Sequence, residues 1–100
     1  MKYDLNDYIR LAKTGTKDSV DTIMADLNMD MTIGASKIID YSLSFVSSNE
    51  GLARMADYLF HGTQVQRNYC TLFFNRRGDW PIVKQAYEQG LIDYIQAYSR

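Results

Sequence analysis

An all-α chain of six or seven helices is what this sequence predicts, and three observations carry the prediction. Apolar residues recur with the i, i+3, i+4, i+7 spacing of one helix face in most segments. A helix-stopping glycine is followed at once by a helix-capping residue at Gly15–Thr16, Gly62–Thr63 and Gly78–Asp79. The 100 residues contain one proline and six glycines, too few turn formers for a many-stranded β fold.

The elements follow in order. Asp4 caps a first helix with Leu5, Tyr8, Ile9 and Ala12 on one face, and Gly15 ends it. Thr16 opens a second, carrying Val20, Ile23, Met24 and Leu27 inward. Asp30 is the expected cap of a third, buried along Ala35, Ile38, Ile39, Ser42, Leu43 and Val46. The β-branched and bulky residues around Ile38–Ile39 and Phe45–Val46 also suit a strand, but the length of the segment favours helix. Ser47 and Glu50 have the spacing of a capping box before a fourth helix with Leu52, Met55, Ala56 and Leu59 inward.

Thr63 and Gln66 form a second such box. The fifth helix behind it carries Val65, Tyr69, Cys70, Leu72, Phe73 and Phe74, apolar round most of its circumference, and should be the most buried. Asp79 caps a sixth, with Pro81 tolerated in the first turn and Ile82, Val83, Ala86 and Tyr87 inward. After Gly90 a short last helix is expected over 91–99, packing through Leu91, Tyr94, Ile95 and Tyr98.

A shift of 47 residues aligns the two halves of the chain. Leu5, Tyr8, Ile9 and Ala12 fall on Leu52, Met55, Ala56 and Leu59, and Gly15–Thr16 falls on Gly62–Thr63. Two units of about 40–47 residues lie in the range of HEAT and armadillo repeats. The stretch 57–79, DYLFHGTQVQRNYCTLFFNRRGD, resembles a HEAT-repeat hairpin. Arg67, Cys70, Phe74 and Gly78 match the Arg, small, apolar and Gly places of that family's second helix. Gln66 departs where Val is usual, and the usual Asp-Pro turn is absent. The resemblance implies a short right-handed stack of antiparallel helical hairpins, with units over 4–47 and 51–90 and residues 91–99 as a cap. It also implies scaffolding and binding, and a structural role for Arg67.

Composition narrows the function classes. Hydrophobic residues make up 46% of the chain and charged residues 23%, ordinary values for a globular chain of one-domain length. The net charge is −1, so no strong global field draws it to nucleic acid or membrane. No stretch nears the roughly 18 apolar residues of a membrane span, and nothing at the N-terminus reads as a signal peptide, which makes a cytoplasmic location the expectation.

Chemistry-bearing residues are sparse. Cys70 is the one cysteine and His61 the one histidine, which leaves no disulfide and no zinc-ligand spacing. A small enzyme would have to use these two as nucleophile and base; a buried small Cys and a helix-terminal His are the simpler roles. The Asp4/Asp7 and Asp18/Asp21 pairs suit helix first turns, where negative charge is favoured. No catalytic residue, metal or cofactor is expected. The basic edge of Arg67, Arg76, Arg77 and Lys84, with Trp80 beside it, is the expected binding surface of a non-catalytic interaction module. Another protein is the expected partner. Nucleic acid on the edge around Arg76 and Arg77 is the alternative, and self-association would also cover the end faces of a stack this short.

Overall fold

The computed structural model describes residues 3–98, and these form seven helices with no strand among them. They are α1 (Leu5–Thr14), α2 (Lys17–Ala25), α3 (Ile33–Leu43), α4 (Asn49–His61), α5 (Gln64–Arg77), α6 (Trp80–Glu88) and α7 (Tyr94–Tyr98). Ser99, the last residue of the expected terminal helix, lies outside the described residues. The helices fall into two compact units, residues 1–55 and 56–100, with the boundary inside α4. No helix among the described residues is long and apolar enough to cross a membrane.

In the first unit α1 packs against both α2 and α3. Tyr8 and Ala12 of α1 are buried, as are Val20, Ile23 and Met24 of α2 and Ile39 and Leu43 of α3, while Leu5 is 38% exposed. The α1–α2 turn is tight because Gly15 takes the left-handed conformation (φ 64°), where a Cβ would clash with the following carbonyl. Thr16 Oγ1 then accepts from Ser19 N at 3.1 Å and starts α2. At the head of α1, Asp4 and Asp7 satisfy each other's backbone N–H groups, a capping box built from two aspartates.

Two starts differ from the sequence reading. Thr32, not Asp30, caps α3, accepting from Ala35 N at 3.1 Å. Asp30 is taken up in the turn before it, its N–H donating to Asn28 Oδ1 at 2.9 Å. Ser48, not Ser47, caps α4: its Oγ accepts from Gly51 N (3.0 Å) and donates to Gly15 O (2.7 Å). The expected box does not form, because the Glu50 carboxylate accepts from Lys17 N at the head of α2 instead. A third tie in this unit, Arg54 Nε to Asp21 Oδ1 at 2.6 Å, takes up one of the aspartates read as a first-turn charge.

In the second unit α6 and α7 pack on α5 and on each other. Cys70, Phe73 and Phe74 of α5 are buried, as are Val83 and Ala86 of α6, but Leu72 is 38% exposed. Thr63 and Gln66 form their capping box (2.9 and 3.2 Å), and Gly78, at φ 78°, ends α5. The Gly62 turn is not the same device. Its φ is not positive. Gly is needed there because a Cβ would meet Tyr58 O at 2.6 Å and Gln66 Oε1 at 2.9 Å. Asp79 stands at the N-cap of α6, yet its side chain caps nothing and pairs with Arg77 at 2.9 Å.

The terminal helix is turned the other way from the expectation. Tyr94 and Ile95 are 64% and 76% exposed and Tyr98 40%, while Ile92 and Ala97 are buried. Polar bonds set this orientation. Asn75 Nδ2 donates to Gln96 O at 3.1 Å, and Gln96 Nε2 donates to Asn68 Oδ1, so the Gln96 side of the segment faces α5.

Candidate functional site

The basic edge is built at the end of α5 and the start of α6. The left-handed Gly78 reverses the chain, with Asp79 N donating to Phe74 O at 2.9 Å and Gly78 N to Asn75 O at 3.1 Å. This places Arg76 and Arg77, in the last turn of α5, close in sequence to Trp80 and Pro81 in the first turn of α6. Trp80 is 45% exposed. Arg76 is exposed, its Nε donating to Leu72 O at 3.2 Å, a bond that ties it back over its own helix. Arg77 pairs with Asp79 and lies over the Phe73 ring, 5.7 Å from its centroid. Lys84 reaches Glu88 at 4.0 Å, one turn further along α6.

Arg67 has a different setting. It is half-buried, and its guanidinium donates from Nε to Leu91 O (3.0 Å) and from Nη1 to Gly62 O (2.9 Å). The same side chain lines a polar cavity of about 340 Å³ walled by Gln64 and Asn68 of α5 and by residues 90–93 and Gln96. Arg67 therefore clasps two main-chain segments, while Arg76, Arg77, Trp80 and Lys84 lie around the α5–α6 corner.

Sequence reasoning passed over three features. The first is that cavity. Its signal was the polar run Gln64, Gln66, Arg67, Asn68 inside an otherwise apolar helix. The second is an aromatic cluster at the surface, in which Tyr87, Tyr94 and Tyr98 stand with centroids 4.7–6.1 Å apart. The third lies in the first unit, a cavity of about 340 Å³ lined by Tyr8, Asp26, Asn28, Asp30, Thr32 and Ile39 among others. There Tyr8 Oη donates to Asp26 Oδ2 at 2.8 Å. Burial, and then this bond to a carboxylate, push the Tyr8 phenol well above the usual tyrosine range.

Cys70 is fully buried, and burial pushes its thiol well above the ordinary cysteine range. A nucleophilic cysteine needs the opposite shift, toward thiolate. His61 is exposed at the last residue of α4. No protein-family model matches the chain, and neither the curated proteins nor the solved structures give a match. The class of protein defined by this architecture is an all-α helical protein.

Proposed function

We propose that this protein is a non-catalytic, HEAT-like helical-repeat module that binds another protein through the α5–α6 corner. The observation that carries the reading is Trp80, 45% exposed beside two arginines in the last turn of α5. Tryptophan and arginine are the residues in which contact energy between proteins concentrates. The HEAT-like reading is supported by the α1–α2 pair closed at Gly15–Thr16 and by the Gly–Thr step that recurs between α4 and α5. Arg76, Arg77, Trp80 and Lys84 form the docking edge, and Arg67 supports it from within the same unit.

Nucleic acid is the weaker reading, and the ion pairs supply the reason. Backbone binding draws on uncompensated cations. Here Arg77 and Lys84 already stand beside Asp79 and Glu88.

A photo-crosslinking amino acid placed at Pro81, exposed beside Trp80, and at Lys84, with Lys37 of α3 as control, tests the proposal in the source cell. The expected result is one protein adduct common to the first two positions, absent from the third, and lost when Arg76 and Arg77 become Ala. The same adducts at all three positions would refute it. Salt-sensitive binding to generic DNA or RNA, abolished by the same two substitutions, would transfer the edge to the second reading.

A further inference from the structure

Arg67 is a cation whose direction is fixed and which has no ion-pair partner among the described residues. Its Nε and one Nη1 hydrogen are committed to Leu91 O and Gly62 O. Three of the five guanidinium N–H groups remain. Both acceptors are neutral carbonyls, and among the described residues no carboxylate lies within ion-pair distance of the group. Charged groups drawn part-way out of water normally find a counter-ion. Pinned by two carbonyls, this guanidinium would lose little further freedom on meeting one.

The cavity it lines has the composition of a polar binding site. Gln64 adds an exposed amide in the first turn of α5, and the amides of Asn68 and Gln96 are held by their mutual bond. Its volume of about 340 Å³ lies at the lower end of the ~300–1,000 Å³ typical of small-molecule pockets. One carboxylate stands on the wall: Asp93, whose Oδ1 accepts from Gln96 N at 2.7 Å.

We propose that this cavity binds a small molecule through one oxyanion group, phosphoryl or carboxylate, with Arg67 as its anchor and Gln64 as a second donor. Asp93 makes the site selective. It repels a second negative group, so a polyanion is disfavoured and a metabolite-sized ligand with a neutral, hydroxyl-bearing remainder is favoured. This site does not rest on the docking edge proposed above, with which it shares Arg67 alone.

The test is an NMR titration of the full chain with inorganic phosphate and, separately, with acetate. Saturable shifts of the Arg67 Nε–H and of the Gln64, Asn68 and Gln96 side-chain amides are expected, with half-saturation of about 1–10 mM for such minimal probes. Shifts with phosphate alone mark a phosphoryl site, with acetate alone a carboxylate site, and with both an oxyanion site of either kind; each supports the proposal. Gln64→Glu should weaken binding by about fivefold or more by setting a like charge in the wall. Asp93→Asn keeps a capping side chain and should tighten binding by a similar factor. Arg67→Gln should abolish binding. Because that change also releases Leu91 and Gly62, the Gln64 and Asp93 variants decide the matter if it does not fold. Shifts that never saturate, shifts centred on Arg76 and Arg77, or affinities unmoved by both Gln64→Glu and Asp93→Asn would overturn it.

Discussion

Replacing Gly15 with alanine should unfold the protein more readily than any other single methyl addition at a left-handed glycine in the chain. Two costs meet there. At φ 64° the new Cβ carries the left-handed strain, about 1–2 kcal/mol. It would also sit 2.2 Å from Ser48 Oγ and 3.0 Å from Ser48 Cβ. Ser48 cannot yield freely, because its hydroxyl donates to Gly15 O and accepts from Gly51 N. Giving up those two bonds costs about 0.5–1.5 kcal/mol each. The sum is about 2–5 kcal/mol. Gly78→Ala is the internal control: its φ is 78°, but nothing lies within 4 Å of the added Cβ. Only the backbone term of about 1–2 kcal/mol applies there. Urea unfolding followed by circular dichroism at constant m-value measures both. In the Ser48→Ala background, which itself forfeits a cap worth about 1 kcal/mol, the Gly15→Ala penalty should shrink by a similar amount. Equal penalties for Gly15→Ala and Gly78→Ala, or an undiminished penalty in the double variant, would refute the collision and with it the Ser48 clasp.

Three further outcomes are expected. Gly51→Ala should destabilise by about 1–3 kcal/mol through overpacking, although alanine is the better helix former, because its Cβ would meet Val46 Cγ1 at 2.8 Å and Gly15 O at 3.0 Å; a stabilised variant in thermal melts would contradict this. Cys70 should react with a thiol reagent only after unfolding, since burial holds the thiol protonated; the unfolded chain ionises first as pH rises, so the Cys70 contribution falls above the ordinary thiol pKa, and rapid native labelling would count against the core placement. The Asp7 carboxyl titrates below its ordinary value, chiefly through the backbone bond to Asp4 and then through Arg10. The α1 capping box is therefore fully present above the ordinary carboxylate pKa and is lost as pH falls through the lowered one; carbon-detected NMR titration would show an unshifted Asp7 if the box were not formed.

Legibility differed between elements for identifiable reasons. The first six helices and their apolar stripes could be read because each is at least nine residues long and its pattern repeats over several turns. Caps were legible only where a single candidate residue stood at the place. Thr16 and Thr63 were unambiguous, but Ser47 and Ser48 stand side by side, and the choice fell to the one that reaches Gly15 O. Asp30 lost to Thr32 because Asn28 bends the preceding turn. At the α5–α6 corner, the sequence marked the cations and the tryptophan. The pairing of Arg77 with Asp79, and of Arg67 with two carbonyls, depends on which atoms the turns bring together.

By itself the sequence determined where helices run, which glycines stop them, and that the chain is all-α, because these follow from local spacing and backbone sterics. Tertiary structure alone decided the facing of α7, the reach of Glu50 to the head of α2, and the cavity beside Arg67. Each of those rests on bonds between residues 21 or more positions apart, such as Asn75 with Gln96, Arg67 with Leu91 and Lys17 with Glu50, and no local pattern records such a bond.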